Sequence, residues 1–163
     1  MSAQLEEIAN RLQVLADHEE IRRVLYTYFR AVDAADWDLM ASCYHEDATD
    51  EHAGVFVGTI DGLVQWCVDN VAKEFSSWMH YGGQSIIDVD GDTAQVETYA
   101  VAIHKTHPDP TGFTHDVIAS GKFYDRFERR NGMWRIAQRK LVINWIPSAP
   151  VSGAAHLLSA AER

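Results

Sequence analysis

The stretch DVDGDTAQVETYAVAIHKT, residues 88–106, lies where the chain changes its period. Upstream, apolar residues recur every three or four positions; around and beyond it they alternate. Asp90-Gly91-Asp92 is a tight-turn signal between two such alternating runs, WMHYGGQSIIDV (78–89) and TAQVETYAVAIHKT (93–106). THPDPTG (106–112) carries two prolines and a glycine and reads as a loop. FTHDVIASGKFYDRFER (113–129) is a third strand, with Gly121 a candidate bulge, and RNGM (130–133) turns into a fourth, WRIAQRKLVINWI (134–146). The second half is therefore a four-strand antiparallel meander.

Toward the N-terminus, Ile21, Val24, Leu25, Tyr28, Phe29 and Val32 mark one face of an amphipathic helix, with Arg22, Arg23, Thr27 and Arg30 opposite. A shorter helical turn is expected before it, from Leu5 to Ala16. Trp37, Met40, Ala41 and Tyr44 suggest a second short helix. HEDATDEH (45–52) reads as a turn, VFVGTIDG (55–62) as a short strand and a Gly-flanked turn, and Leu63–Phe75 as a third helix. Helices gathered before a run of hairpins indicate an α+β domain, with helices packed on one face of a strongly curved, mostly antiparallel sheet. Strands this long must coil, so the concave side can form a cone around a pocket. We expect a single domain over residues 1–147 and a tail, 148–163, that is a lid, an interface arm or a disordered segment.

The chain has 163 residues, with 14 basic and 24 acidic side chains and a formal charge of −10. That surface disfavours nucleic acid and anionic lipid as partners. No apolar run is long enough to span a bilayer, and MSAQLEEIANRLQ lacks the apolar core of a signal peptide, so a cytoplasmic protein is expected. Cys43 and Cys67 form no metal or redox motif and read as reduced, buried thiols. The spacings His45…His52 and His104…His107…His115 match no zinc pattern, so no metal is expected.

Chemistry is concentrated at the end of the long helix. Asp33 falls just beyond the apolar stripe, at a helix C-terminus, where the dipole favours cations. Either it faces solvent or it meets a cationic partner from the sheet. His80, followed by two glycines that permit close approach, is a candidate for that partner; alone on a strand it would read as a structural histidine. A carboxylate beside an imidazole fixes its tautomer and raises its basicity, leaving the outer nitrogen to take a proton near neutral pH.

YFRAVDAADWDLM (28–40), HYGGQSIIDV (80–89) and GKFYDRFERRNGMWRIAQRKLVINW (121–145) together resemble the SnoaL-like branch of the nuclear transport factor 2-like superfamily. That branch includes scytalone dehydratase, bile acid 7α-dehydratase and hexachlorocyclohexane dehydrochlorinase. The resemblance spans roughly Glu19 to Pro147 and implies a cone-shaped α+β barrel with neither metal nor organic cofactor. It places the family's aspartate–histidine dyad on Asp33 and His80, an active-site tyrosine on Tyr28 and a pocket arginine on Arg139. Arg139 shares strand parity with Ala137, Leu141 and Ile143, which favours an inward side chain. The second active-site aspartate of the bile acid enzyme has no acidic counterpart at Ala102 or Ile103. His104, on the same strand face as Ala102, can supply a polar group there or lie at a surface strand end. Trp78, Trp145, Phe123 and Phe127 read as core, with Trp78 and Phe123 candidates to line the pocket.

The expected function is a cofactor-independent lyase, of dehydratase or dehydrohalogenase type, or an isomerase acting on a small hydrophobic molecule. The alternative is a non-catalytic module, either an assembly subunit like the β subunit of ring-hydroxylating dioxygenases or a ligand-binding protein. Self-association is expected in each case, because a short curved sheet leaves a convex apolar face to cover; the resemblance to dehydratases implies a trimer, with a dimer as in other superfamily members the alternative.

Overall fold

The computed structural model describes residues 2–145. Helix α1 runs unbroken over Ala3–Asp33, so the separate N-terminal turn expected over Leu5–Ala16 is the first half of one 31-residue helix. Only its second half packs on the body. Ile21, Leu25, Tyr28, Phe29 and Val32 are buried, whereas Leu5, Ile8, Leu12 and Leu15 are exposed. The crossover lies at Asp17, a buried carboxylate whose Oδ1 accepts from Arg129 Nη1 at 2.6 Å and from Trp134 Nε1 at 3.0 Å. It pins α1 to the last hairpin.

The chain leaves α1 through Ala35, whose φ is +52°, and enters α2 (Trp37–Ser42), where Asp36 caps the helix by accepting from Leu39 N–H at 3.0 Å. Strand β1 then occupies Tyr44–His52 and β2 Phe56–Thr59. This corrects the reading of HEDATDEH as a turn. Its inward positions hold Ala48, Asp50 and His52 rather than an apolar series, so alternation does not reveal the strand. Helix α3 begins at Ile60, earlier than expected, behind a Thr59 cap, and ends at Trp66. A π-helical turn, Cys67–Val71, and a last turn, Ala72–Glu74, complete the segment. No helix of the described residues is long and apolar enough to cross a membrane.

The remaining strands are β3 (Phe75–Asp90), β4 (Thr93–Thr106), β5 (Asp116–Arg130) and β6 (Met133–Trp145). The meander appears as expected, with Gly91 at the β3–β4 turn and Asn131-Gly132 at the β5–β6 turn. Asn131 and Gly132 have φ of +54° and +76°, the left-handed pair that a two-residue hairpin turn requires. Among the described residues the sheet has six strands in the order β2-β1-β6-β5-β4-β3. All pairs are antiparallel except β1 with β6, which run parallel with Asp50 opposite Arg139 and His52 opposite Leu141.

Register shifts fall at Gly82/Ser85, Ser120/Gly121 and Arg126/Phe127. The bulge expected at Gly121 is present; a Cβ there would stand 2.6 Å from the Val142 carbonyl oxygen. These irregularities bend the long strands, and the sheet curls around α1, α2 and α3. Its concave face carries the core, including Val96, Phe123, Phe127 and Ile136. The tail assigned to 148–163 lies outside the described residues.

Candidate active site

Asp33 is the last residue of α1, and its partner does come from the sheet. One carboxylate oxygen, Oδ1, accepts the backbone N–H of His80 at 2.9 Å and lies 2.8 Å from the ring Nδ1. The single oxygen therefore holds both the strand and the ring. With Nδ1–H directed at Asp33, Nε2 is the nitrogen left for a ligand. Phe29, one turn before Asp33, stacks on the imidazole with ring centroids 6.4 Å apart. Gly82 makes room for it, because a Cβ at that position would lie 2.4 Å from the Phe29 ring.

His80 forms part of the wall of a cavity of about 310 Å³ enclosed between the helices and the concave sheet. Val32, Trp37, Met40, Trp66, Phe75 and Leu141 supply much of its apolar surface. Its wall includes the polar side chains of Tyr28, His52, Cys67, His80 and His104; among the described residues no Asp, Glu, Lys or Arg lines it. Larger, more open grooves occur elsewhere, one of about 470 Å³ between α1 and the Gly132 hairpin, but His80 does not line it.

Tyr28 and Phe123 both face the cavity. Burial pushes the Tyr28 phenol well above its ordinary value, against the opposing pull of Arg139. Arg139 itself lies behind that wall. Its guanidinium stands 4.1 Å from the Tyr28 ring centroid and 4.4 Å from that of Phe123. Two parallel bonds of 2.7 Å join it to both oxygens of Asp125, and a third, at 3.2 Å, runs to the Tyr44 hydroxyl. Burial penalises the charge, but Asp125, together with Tyr44 and Tyr28, outweighs this and holds Arg139 well above its ordinary value. The arginine is inward-facing, as its strand parity indicated, and lines no part of the cavity.

Trp78 also stays outside the cavity wall. It stacks on Trp37 at 6.5 Å and donates its indole N–H to the Val32 carbonyl at 2.7 Å, bracing the end of α1. His104 is on the wall, edge-on to His80 at 5.4 Å and tilted against Phe75 at 4.8 Å. Burial, followed by the neighbouring charge of His80, pushes it down to about 4, so it is neutral at neutral pH. Cys43 and Cys67 are free and buried, with burial raising their thiols to about 11 and 12. Neither is a ready nucleophile.

One wall residue had no clear signature in the sequence: His52, whose Nδ1 lies 3.3 Å from Asp50 Oδ1. The Asp-x-His spacing, which puts both side chains on one face of a strand, is the signal that was available. It stayed hidden while the segment read as a turn.

The SnoaL-like domain profile matches residues 13–140, most of the chain. The protein belongs to the SnoaL-like domain family. No protein of curated function matches it in sequence. Solved structures of similar shape include a scytalone dehydratase-like protein from Novosphingobium aromaticivorans, at 22% identity and a TM-score of 0.72, over 84% of this chain and 90% of the other. LinA matches at 21% identity and a TM-score of 0.77, over 88% and 95% of the two chains. The hexachlorocyclohexane dehydrochlorinase LinA-type3 from Novosphingobium barchaimii matches at 18% identity and 0.76, over 88% and 95%. At these identities the likeness is one of fold, a SnoaL-like chain of the nuclear transport factor 2-like superfamily with its helices on a curled mixed sheet.

Proposed function

We propose that this SnoaL-like protein is a lyase or isomerase that removes a carbon-bound proton from a small, largely apolar molecule. The observation that carries this reading is the His80 ring, held through Nδ1 by Asp33 at the wall of an apolar cavity. Nε2 of His80 takes the proton, and Asp33 orients the ring and stabilises the imidazolium that forms. Tyr28, weakly acidic and uncharged, donates a hydrogen bond to a developing oxyanion. Arg139 supports that phenol from behind, its charge lying beyond the ring. Neutral His104 and the Phe123 ring shape the wall beside the reacting atoms. The scytalone dehydratase-like and dehydrochlorinase neighbours act as precedents for such chemistry on this fold.

Proton abstraction can be measured without knowing the natural substrate. Exchange of the α-protons of 2-tetralone in D₂O, followed by NMR, reports the base directly. A general base contributes about 10²–10⁴-fold, so His80→Ala should lose catalysed exchange by that factor and keep its fold. Catalysed exchange that survives in His80→Ala would refute the assignment. We also propose self-association across the convex sheet face, where Met79, Tyr81, Tyr124 and Val142 are exposed.

A further inference from the structure

A second imidazole reaches the cavity with a carboxylate of its own. Asp50, whose Oδ1 faces His52 Nδ1, accepts the Tyr44 hydroxyl on Oδ2 at 2.9 Å. Tyr44 accepts from Arg139, and Arg139 is gripped by Asp125. A continuous chain thus runs Asp125–Arg139–Tyr44–Asp50–His52. Its first four members are buried side chains that do not line the cavity; His52 does. With both carboxyl groups ionised, two carboxylates and one guanidinium carry a formal charge of −1, which a proton shared with His52 would balance. His52 and His80 sit on β1 and β3, with three strands between them in the sheet, and the curl brings both to one hollow.

Resting on the reading of His80 as the base, we propose that His52 is the acid of the same site, delivering a proton to a departing oxygen. The substrate class is then a β-hydroxy carbonyl compound. His80 takes the proton from the carbon next to the carbonyl, and that C–H pair becomes the C=C bond. The C–O bond breaks, its electron pair leaves with oxygen, and His52 Nε2–H protonates that oxygen to give water. One proton is gained at His80 and one lost at His52, and solvent restores both. A departing halide needs no proton, whereas hydroxide does, and the other wall groups are poor donors. Burial weakens Tyr28 and Cys67 as acids, and His104 carries no charge at neutral pH.

The test pairs two reactions on one skeleton, with the full chain: α-exchange of 2-tetralone, and dehydration of 4-hydroxy-2-tetralone to fluorescent 2-naphthol. His52→Gln should lower dehydration about 100-fold more than exchange, whereas His80→Ala lowers both together. Asp50 is a positioning residue. Asp50→Asn should reproduce the split and shift the ring ¹⁵N signals of His52 while those of His80 stay in place. Equal loss of both reactions in His52→Gln, or of neither, overturns the proposal, as does a wild-type chain that exchanges without dehydrating. A wild-type chain that does neither overturns the His80 reading and this inference with it. Unmoved His52 signals in Asp50→Asn overturn the role given to Asp50.

Discussion

Asp33→Asn tests whether one oxygen does two jobs. In the wild type, Oδ1 accepts both the His80 backbone N–H, at 2.9 Å, and the ring Nδ1, at 2.8 Å. An asparagine that places its amide oxygen there keeps both bonds, and with them the tautomer that exposes Nε2. What it loses is charge. Hydrogen bonds to an ionised acceptor are about twice as strong as neutral ones, and that difference grows when the ring becomes an imidazolium. The Asp33 side chain is 29% exposed, so solvent softens the loss. We expect about 2–3 kcal/mol, which is roughly 30- to 150-fold in rate. Asp33→Ala removes the acceptor, frees the ring to rotate and should fall to the level of His80→Ala. The assay is 2-tetralone exchange by NMR, with ring ¹⁵N shifts reporting the His80 tautomer. An asparagine variant as inactive as the alanine variant, with the proton moved to Nε2, would refute the shared-oxygen reasoning; full activity would refute the need for charge.

Gly82→Ala would drive a Cβ to 2.4 Å from the Phe29 ring, so the ring must retreat by about 1 Å, at a cost of roughly 1–3 kcal/mol; an unchanged melting temperature would contradict the packing described. His104 is held down near 4 against an ordinary 6.5, so the unfolded chain binds the proton first as pH falls. Its contribution to stability is therefore whole above pH 6.5 and drains away between 6.5 and 4; His104→Phe should flatten the fall in melting temperature across that window, and an unchanged slope would contradict the assignment. Asp17→Ala strips acceptors from Trp134 and Arg129 and should cost roughly 3 kcal/mol, about 10 °C in melting temperature; a loss within 1 °C by calorimetry would contradict the pinning role. Tyr81→Lys with Tyr124→Lys should shift sedimentation velocity toward the monomer, and a wild type that is already monomeric would contradict self-association.

The sequence by itself determined the helical stripe from Ile21 to Val32, the hairpin turns at Gly91 and Asn131-Gly132, and the bulge at Gly121. These rest on local rules, since side-chain period and positive φ act within a few residues of chain. Asp33 was legible as an acid wanting a cationic partner, because it sits at a helix C-terminus; that His80 is this partner came from the family resemblance. Only the tertiary structure decided that Tyr44–His52 is a strand. Besides its short hairpin with β2, it is held in the sheet by the parallel β6, about ninety residues away, and its inward side is a polar chain rather than an apolar series. Arg139 lies behind Tyr28 instead of in the cavity because Asp125, opposite it across the β5–β6 hairpin, satisfies both arms of its guanidinium. Where a side chain is stabilised by a neighbour the backbone delivers from afar, period and spacing carry no trace of it; the curl of the sheet chooses the partner.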